Sequence, residues 1–194
     1  MHCRTLVLTL AVLIAPTFAL ADGIALPPLT PTPADLYDLD HGKAYTWGID
    51  LVLDPGWTVE SATLSFDRIR NWTTEPNDLY IHLLDWAPLG VIQFSDGGAG
   101  DYFDGLPGQI LLEHYEDLLA TPQPLVYPFD DAEVAKLNTY LAGADDRFGL
   151  GFDPDCHFYN CGVQLALTIV PEPSTVFLLV LGLLPMARRI RSFA

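Results

Sequence analysis

Five stretches of this chain alternate apolar and polar residues with a period of two, and that pattern narrows its fold more than any other feature. Tyr45, Trp47, Ile49, Leu51 and Leu53 fall on one face of the first, with Thr46, Gly48 and Asp50 on the other. After an Asp54-Pro55-Gly56 turn, Ala62, Leu64 and Phe66 alternate with Thr63, Ser65 and Asp67. Leu79, Ile81 and Leu83 alternate with Tyr80 and His82. Phe148, Leu150 and Phe152 share a face, as do Val163, Leu165, Leu167 and Ile169. Successive side chains leave a strand on opposite sides, so such runs predict half-buried antiparallel strands. One helical pattern is clear: Asp130 or Asp131 caps it, Glu133 suits its positive end, and Val134, Leu137 and Leu141 follow helical spacing up to Gly143. A weaker helical pattern runs over 110–119. Strands at both ends, with a helix before the closing pair, predict a mainly β domain: an antiparallel β-sandwich, jelly-roll-like, with one short helix over one end.

The two ends of the chain obey different rules. Arg4, an apolar run over 6–14 and the small-residue exit Ala19-Leu20-Ala21 are the three parts of a secretory signal peptide, here 1–21. Its apolar core is shorter than the ~20 residues that span a bilayer. Residues 22–36 are Pro-rich and predict an extended linker, followed by the β-sandwich domain over 37–170. From Val170 the chain reads Pro171-Glu172-Pro173-Ser174, then an apolar segment, then Arg188, Arg189 and Arg191. Prolines hold the stretch before the membrane extended and the arginines stay on the cytoplasmic side. The apolar segment over 175–187 is short for a lasting anchor and suits a transient one.

Val-Pro-Glu-Pro-Ser followed by that apolar segment and basic cluster resembles the PEP-CTERM sorting signal in every part and in order. The resemblance covers about the last 25 residues. It implies processing near the Pro-Glu-Pro element by exosortase, a membrane transpeptidase, after signal peptidase has acted. It also implies a Gram-negative-type bacterium that makes exopolysaccharide, and a protein bound for the cell surface or extracellular matrix. The middle, through LDPGWTVESATLSFD, NDLYIHLLD and FGLGFDPDCHFYN, is similar to a domain type of other PEP-CTERM proteins; this supports the fold and adds no chemistry.

All 25 acidic residues lie between Asp22 and Glu172, with only five of the nine Lys and Arg. Such a surface excludes nucleic acid, whose phosphates require positive charge, and makes divalent cations natural counter-ions. Cys156 and Cys161 are the two cysteines left after export, and in an oxidising compartment they predict a disulfide closing a small ring. The rival is a zinc site made of both thiols and His157, against which stands the crowding of three ligands onto one short loop. Within the same loop Asp153, Asp155 and Asn160 offer oxygen ligands for a structural calcium ion, although Phe158 and Gln164 break the EF-hand pattern. A second acidic stretch, Asp96-Gly-Gly-Ala-Gly-Asp101, resembles a single calcium-binding glycine-rich repeat but reads better as a loop.

Trp72, Trp86 and Tyr159 fall in or beside predicted loops, where flat rings beside carboxylates suit glycan stacking. No HExxH, G-x-S-x-G or phosphate loop occurs in the sequence, and acid pairs such as Glu75 and Asp78 arise by chance in so acidic a chain. These observations lead to a non-catalytic, exopolysaccharide-associated surface or matrix protein. A carbohydrate-binding module is the first alternative and a secreted polysaccharide hydrolase the second.

Overall fold

The computed structural model describes residues 22–172, apart from 98–99, 118–119 and 144. The expected signal peptide, Pro173, Ser174, the expected sorting segment and Arg188, Arg189 and Arg191 lie outside the described residues. In chain order the strands are β1 (Ile24–Ala25), β2 (Lys43–Asp50), β3 (Trp57–Asn71), β4 (Asn77–Leu84), β5 (Gly90–Ser95), β6 (Gln109–Asp117), β7 (Gln123–Pro128), β8 (Arg147–Pro154), β9 (Phe158–Tyr159) and β10 (Val163–Pro171). Helix α1 (Asp131–Leu141) precedes β8. The strands form two antiparallel sheets. One runs β1-β10-β3-β7, with β9 also pairing β3, and the other runs β5-β2-β8-β4-β6. The five segments that alternate in the sequence fall on β2, β3, β4, β8 and β10.

The sheets face each other across one apolar core, so the architecture is sandwich-like. Leu64, Phe66, Val163 and Leu165 project from the first sheet, and Leu79, Ile81, Phe148, Leu150 and Phe152 from the second. The rings of Phe66 and Phe152 meet edge-on across the layer, 5.8 Å between centroids. Helix α1 is held by a capping box: the Asp130 side chain accepts from Glu133 N at 2.8 Å, and the Glu133 carboxylate accepts from Asp130 N at 2.7 Å. Its Leu137 and Leu141 enter the core, and the Asn138 amide makes two 2.8 Å bonds with the backbone of Val59 in β3.

Two expectations are corrected. Within the segment over 110–119, which had a helical pattern, residues 110–117 pair with β4 as part of strand β6. Its register shifts opposite Ile81/His82, which brings Ile110, Leu112 and Tyr115 to the core and leaves Leu111 exposed. A bulge inserts one residue and breaks the period of two, which is why the sequence looked helical. The Pro-rich stretch 22–36 is part of the domain instead of a free linker. β1 pairs with β10, Leu29 bridges Leu165, and Leu36 is fully buried. It ends in a left-handed turn, Leu36 to Leu39, with φ of 54°, 59°, 56° and 42°. That conformation is costly for L-residues, and the burial of Leu36 and Leu39 holds it in place.

Candidate functional site

The second sheet is covered on its outer face as well. Residues 85–88 and 100–108, on either side of edge strand β5, fold over β2, β4 and β8, and the sheet meets them with glycine. A Cβ on Gly151 would lie 2.9 Å from the Phe103 ring, one on Gly149 2.5 Å from Ala87 Cβ, and one on Gly48 2.0 Å from Pro88 O. Phe103, Ala87, Ala44 and Leu84 make a small second core there. Beside it opens a cleft of about 230 Å³, lined by Trp86, Phe94, Tyr102, Phe103, Leu106 and Pro107, with Thr46, Asp85 and Gln109 among its polar groups. Trp86 is 52% exposed at this cleft, and the rings of Phe94 and Tyr102 stack at 6.1 Å. The Thr46 hydroxyl is buried without a hydrogen-bond partner. An aromatic surface with a few convergent polar atoms is what a sugar ring requires.

At the open end of the same covered face, polar groups are buried. His82 is 1% exposed, with Nδ1 2.7 Å from Gln109 Oε1. Its Nε2 lies 2.9 Å from Asp101 Oδ1, off the line of a good hydrogen bond. Asp101 Oδ1 also accepts from Phe103 N at 2.9 Å, which turns the loop. Asp153, on the outward-facing side of β8, is fully buried; its Oδ2 accepts from Tyr102 N at 2.6 Å, whereas its Oδ1 has no partner. Burial pushes its pKa up to about 7; the Tyr102 amide pulls the other way, and the nearby charges of Asp96, Asp101 and Asp155 add to the rise. Asp155 Oδ1 accepts from Gly100 N at 3.3 Å. Asp153 thus keeps one unsatisfied oxygen at an acidic end, although no three ligand atoms of these carboxylates lie within 4.8 Å of one another; among the described residues only Asp40, His41 and His157 meet that spacing.

The residues singled out in the sequence are thus redistributed. Asp153 and Asp155 share this acidic end, joined by Asp96 and Asp101 from the glycine-rich stretch that had read as a plain loop. Asn160 bonds elsewhere: its Nδ2 donates to Asp35 O at 2.8 Å and its Oδ1 accepts from Gly162 N at 3.0 Å. The expected disulfide is absent, and Cys156 and Cys161 are both free thiols. Noncovalent contacts hold their loop instead, since β9 pairs with Arg70 and Asn71 and Cys161 N donates to Asp67 O at 2.7 Å.

Trp72 is 55% exposed, and its backbone N donates to His157 O at 3.1 Å, opposite the loop that leads into β9. The Tyr159 ring lies under the Arg70 guanidinium at 4.7 Å. Trp72 precedes β4 and Trp86 follows it, so the length of a strand separates them and they form no common platform. Val170 and Pro171 close β10 opposite Thr58 and Trp57, and Glu172 N donates to Gly56 O at 2.7 Å. Of the acid pair, Asp78 faces His114 at 2.7 Å and Glu75 is exposed.

Separation in the sequence hides the cleft, because Tyr102 and Phe103 meet Trp86 only where the segments on either side of β5 come together. Compared with known proteins, the chain matches no family model and no curated sequence. Among the described residues, no helix is long and apolar enough to cross a membrane.

Proposed function

We propose that this chain is an exported, exosortase-processed surface or extracellular-matrix protein of a Gram-negative-type bacterium, associated with exopolysaccharide and not catalytic. The observation that carries this reading is the order of parts in the sequence: a signal peptide, one acidic β domain, then Val170-Pro171-Glu172-Pro173-Ser174, an apolar segment and Arg188, Arg189 and Arg191. Signal peptidase and exosortase are the processing partners, and the membrane is occupied only in transit. In support, β10 ends at Pro171, which cannot donate a further ladder bond, so the last strand of the domain runs into the motif and stops within it. The test is expression of the full chain in a host with and without the transpeptidase. Mature protein shortened near the Pro-Glu-Pro element should appear outside the cell only when the transpeptidase is active. Equal export in both hosts would refute the reading.

A second reading, a carbohydrate-binding module, is favoured by the cleft at Trp86. There the exposed indole supplies stacking and Asp85, Gln109 and Thr46 supply polar contacts to hydroxyls. A structural calcium ion belongs to the same proposal, with Asp153 and Asp155 as ligands and the buried, unpartnered Oδ1 of Asp153 as the observation in its favour. The finer fold is a jelly roll. Supporting it, the eight strands left when β5 and β9 are set aside alternate between the sheets in the manner of two Greek keys.

A further inference from the structure

A second cluster of ligand-type side chains joins stretches far apart in the chain. Asp40 and His41 follow the left-handed turn, and His157 lies in the loop between β8 and β9. His41 Nδ1 is 3.2 Å from Asp40 Oδ1, and His157 Nδ1 is 3.3 Å from the same oxygen. One ligand atom of each residue lies within 4.8 Å of the other two. Bonds of about 2.0–2.1 Å to one tetrahedral ion set neighbouring ligand atoms roughly 3.3–3.4 Å apart. The two measured separations fit that spacing.

The surroundings fix this arrangement. Asp40 N donates to Tyr45 Oη at 2.7 Å, and Lys43 Nζ sits 3.7 Å from Asp40 Oδ2, leaving Oδ1 to the imidazoles. The His157 ring packs on Tyr159, 4.3 Å between centroids. Asn160 clamps the strained turn to the His157 loop: its N donates to Asp38 Oδ1 at 3.2 Å and its side chain donates to Asp35 O at 2.8 Å. The amide expected to ligate calcium therefore serves to bring the two halves of this cluster together. His41 is 66% exposed, so the cluster opens to solvent. Two imidazoles and one carboxylate suit zinc and its first-row neighbours, whereas calcium takes oxygen ligands.

We propose that Asp40, His41 and His157 form a binding site for a first-row divalent transition-metal ion of the zinc type, with solvent completing its coordination. This inference is independent of the sorting, glycan and calcium readings. It also differs from a thiolate site, since neither cysteine takes part.

The experiment is calorimetric and thermal titration of zinc chloride into the full chain in detergent, with Cys3, Cys156 and Cys161 replaced by serine so that thiolates do not compete. A single zinc ion per chain is expected, with Tm rising roughly 5–10 °C when free zinc is about a hundred times Kd. Millimolar calcium should not displace it. His41→Ala removes an exposed side chain and should weaken zinc binding about tenfold or more, as should Asp40→Asn, while Asp153→Asn leaves it unchanged. Absence of any zinc-dependent shift in the serine-substituted chain, or binding that survives His41→Ala combined with Asp40→Asn, would overturn the proposal.

Discussion

The two sheets of this domain are built from similar strands but treat their outer faces differently. In β10 of the first sheet, Val163, Leu165 and Leu167 are buried while Gln164 and Ala166 between them face solvent. In the second sheet β2 and β8 are buried almost throughout, because the segments on either side of β5, with Ala87, Pro88 and Phe103, lie over their outer side. The first sheet is thus a solvated surface. The second is a layer between two packed regions, and the outward-facing His82, Thr46 and Asp153 become buried polar groups. Burial of that kind is costly unless each group is satisfied, and a site is where such costs are tolerated.

The sharpest way to break the comparison is to place an alanine on each outer face. Gly48→Ala drives a Cβ to 2.0 Å from Pro88 O, a backbone atom that cannot move aside alone. A loss of about 3 kcal/mol is expected, seen as a fall in Tm of roughly 6–12 °C by calorimetry. Gln164→Ala on the exposed face of β10 should change stability by less than about 0.5 kcal/mol. Equal effects at the two positions would mean that the cover over the second sheet is not firmly packed.

Asp153 gives the next largest effect. In the folded chain its carboxyl keeps its proton up to about pH 7, while the unfolded chain releases it near 4. Between those values the folded state binds more protons, so stability falls as pH rises through the window and levels off above it. In chelator the loss should be about 2–3 kcal/mol by denaturant titration, and Asp153→Asn should flatten it. Burial sets most of the fall, and the charges of Asp96, Asp101 and Asp155 add to it. Calcium at pH 8 should raise Tm in the native chain and not in Asp153→Asn; a Tm indifferent to calcium in both would remove the cation from this end.

Smaller still are the effects on stability at the exposed indoles. Trp72→Ala and Trp86→Ala should each shift Tm by only a few degrees, since half of each ring is in water. A larger fall at either would make that ring a packing residue.

How much of this was legible follows from the same contrast. Strands with one wet face carry their pattern in the sequence, as β3 and β10 do. The runs of β2, β4 and β8 are legible from the same alternation, although it does not reveal that their outer faces are covered. Gly48, Gly149 and Gly151 look like ordinary outward positions until Phe103, Ala87 and Pro88 are seen against them. β6 was hidden by its bulge, and β1 by prolines that favour an extended chain whether or not it finds a partner. Asp153 and Asp155 were readable as ligand-type residues because they are close in sequence. Their pairing with Asp101, and that of Asp40 and His41 with His157, depends on loops meeting at one end of the sheet, which leaves no local trace.

Association with polysaccharide is the central claim, and direct binding of the folded full chain to a panel of exopolysaccharides and glycans tests it most directly. Reproducible binding to one sugar class is predicted, reduced about tenfold or more by Trp86→Ala and little changed by Trp72→Ala. Absence of binding from protein shown to be folded, or binding that ignores Trp86→Ala, would contradict it.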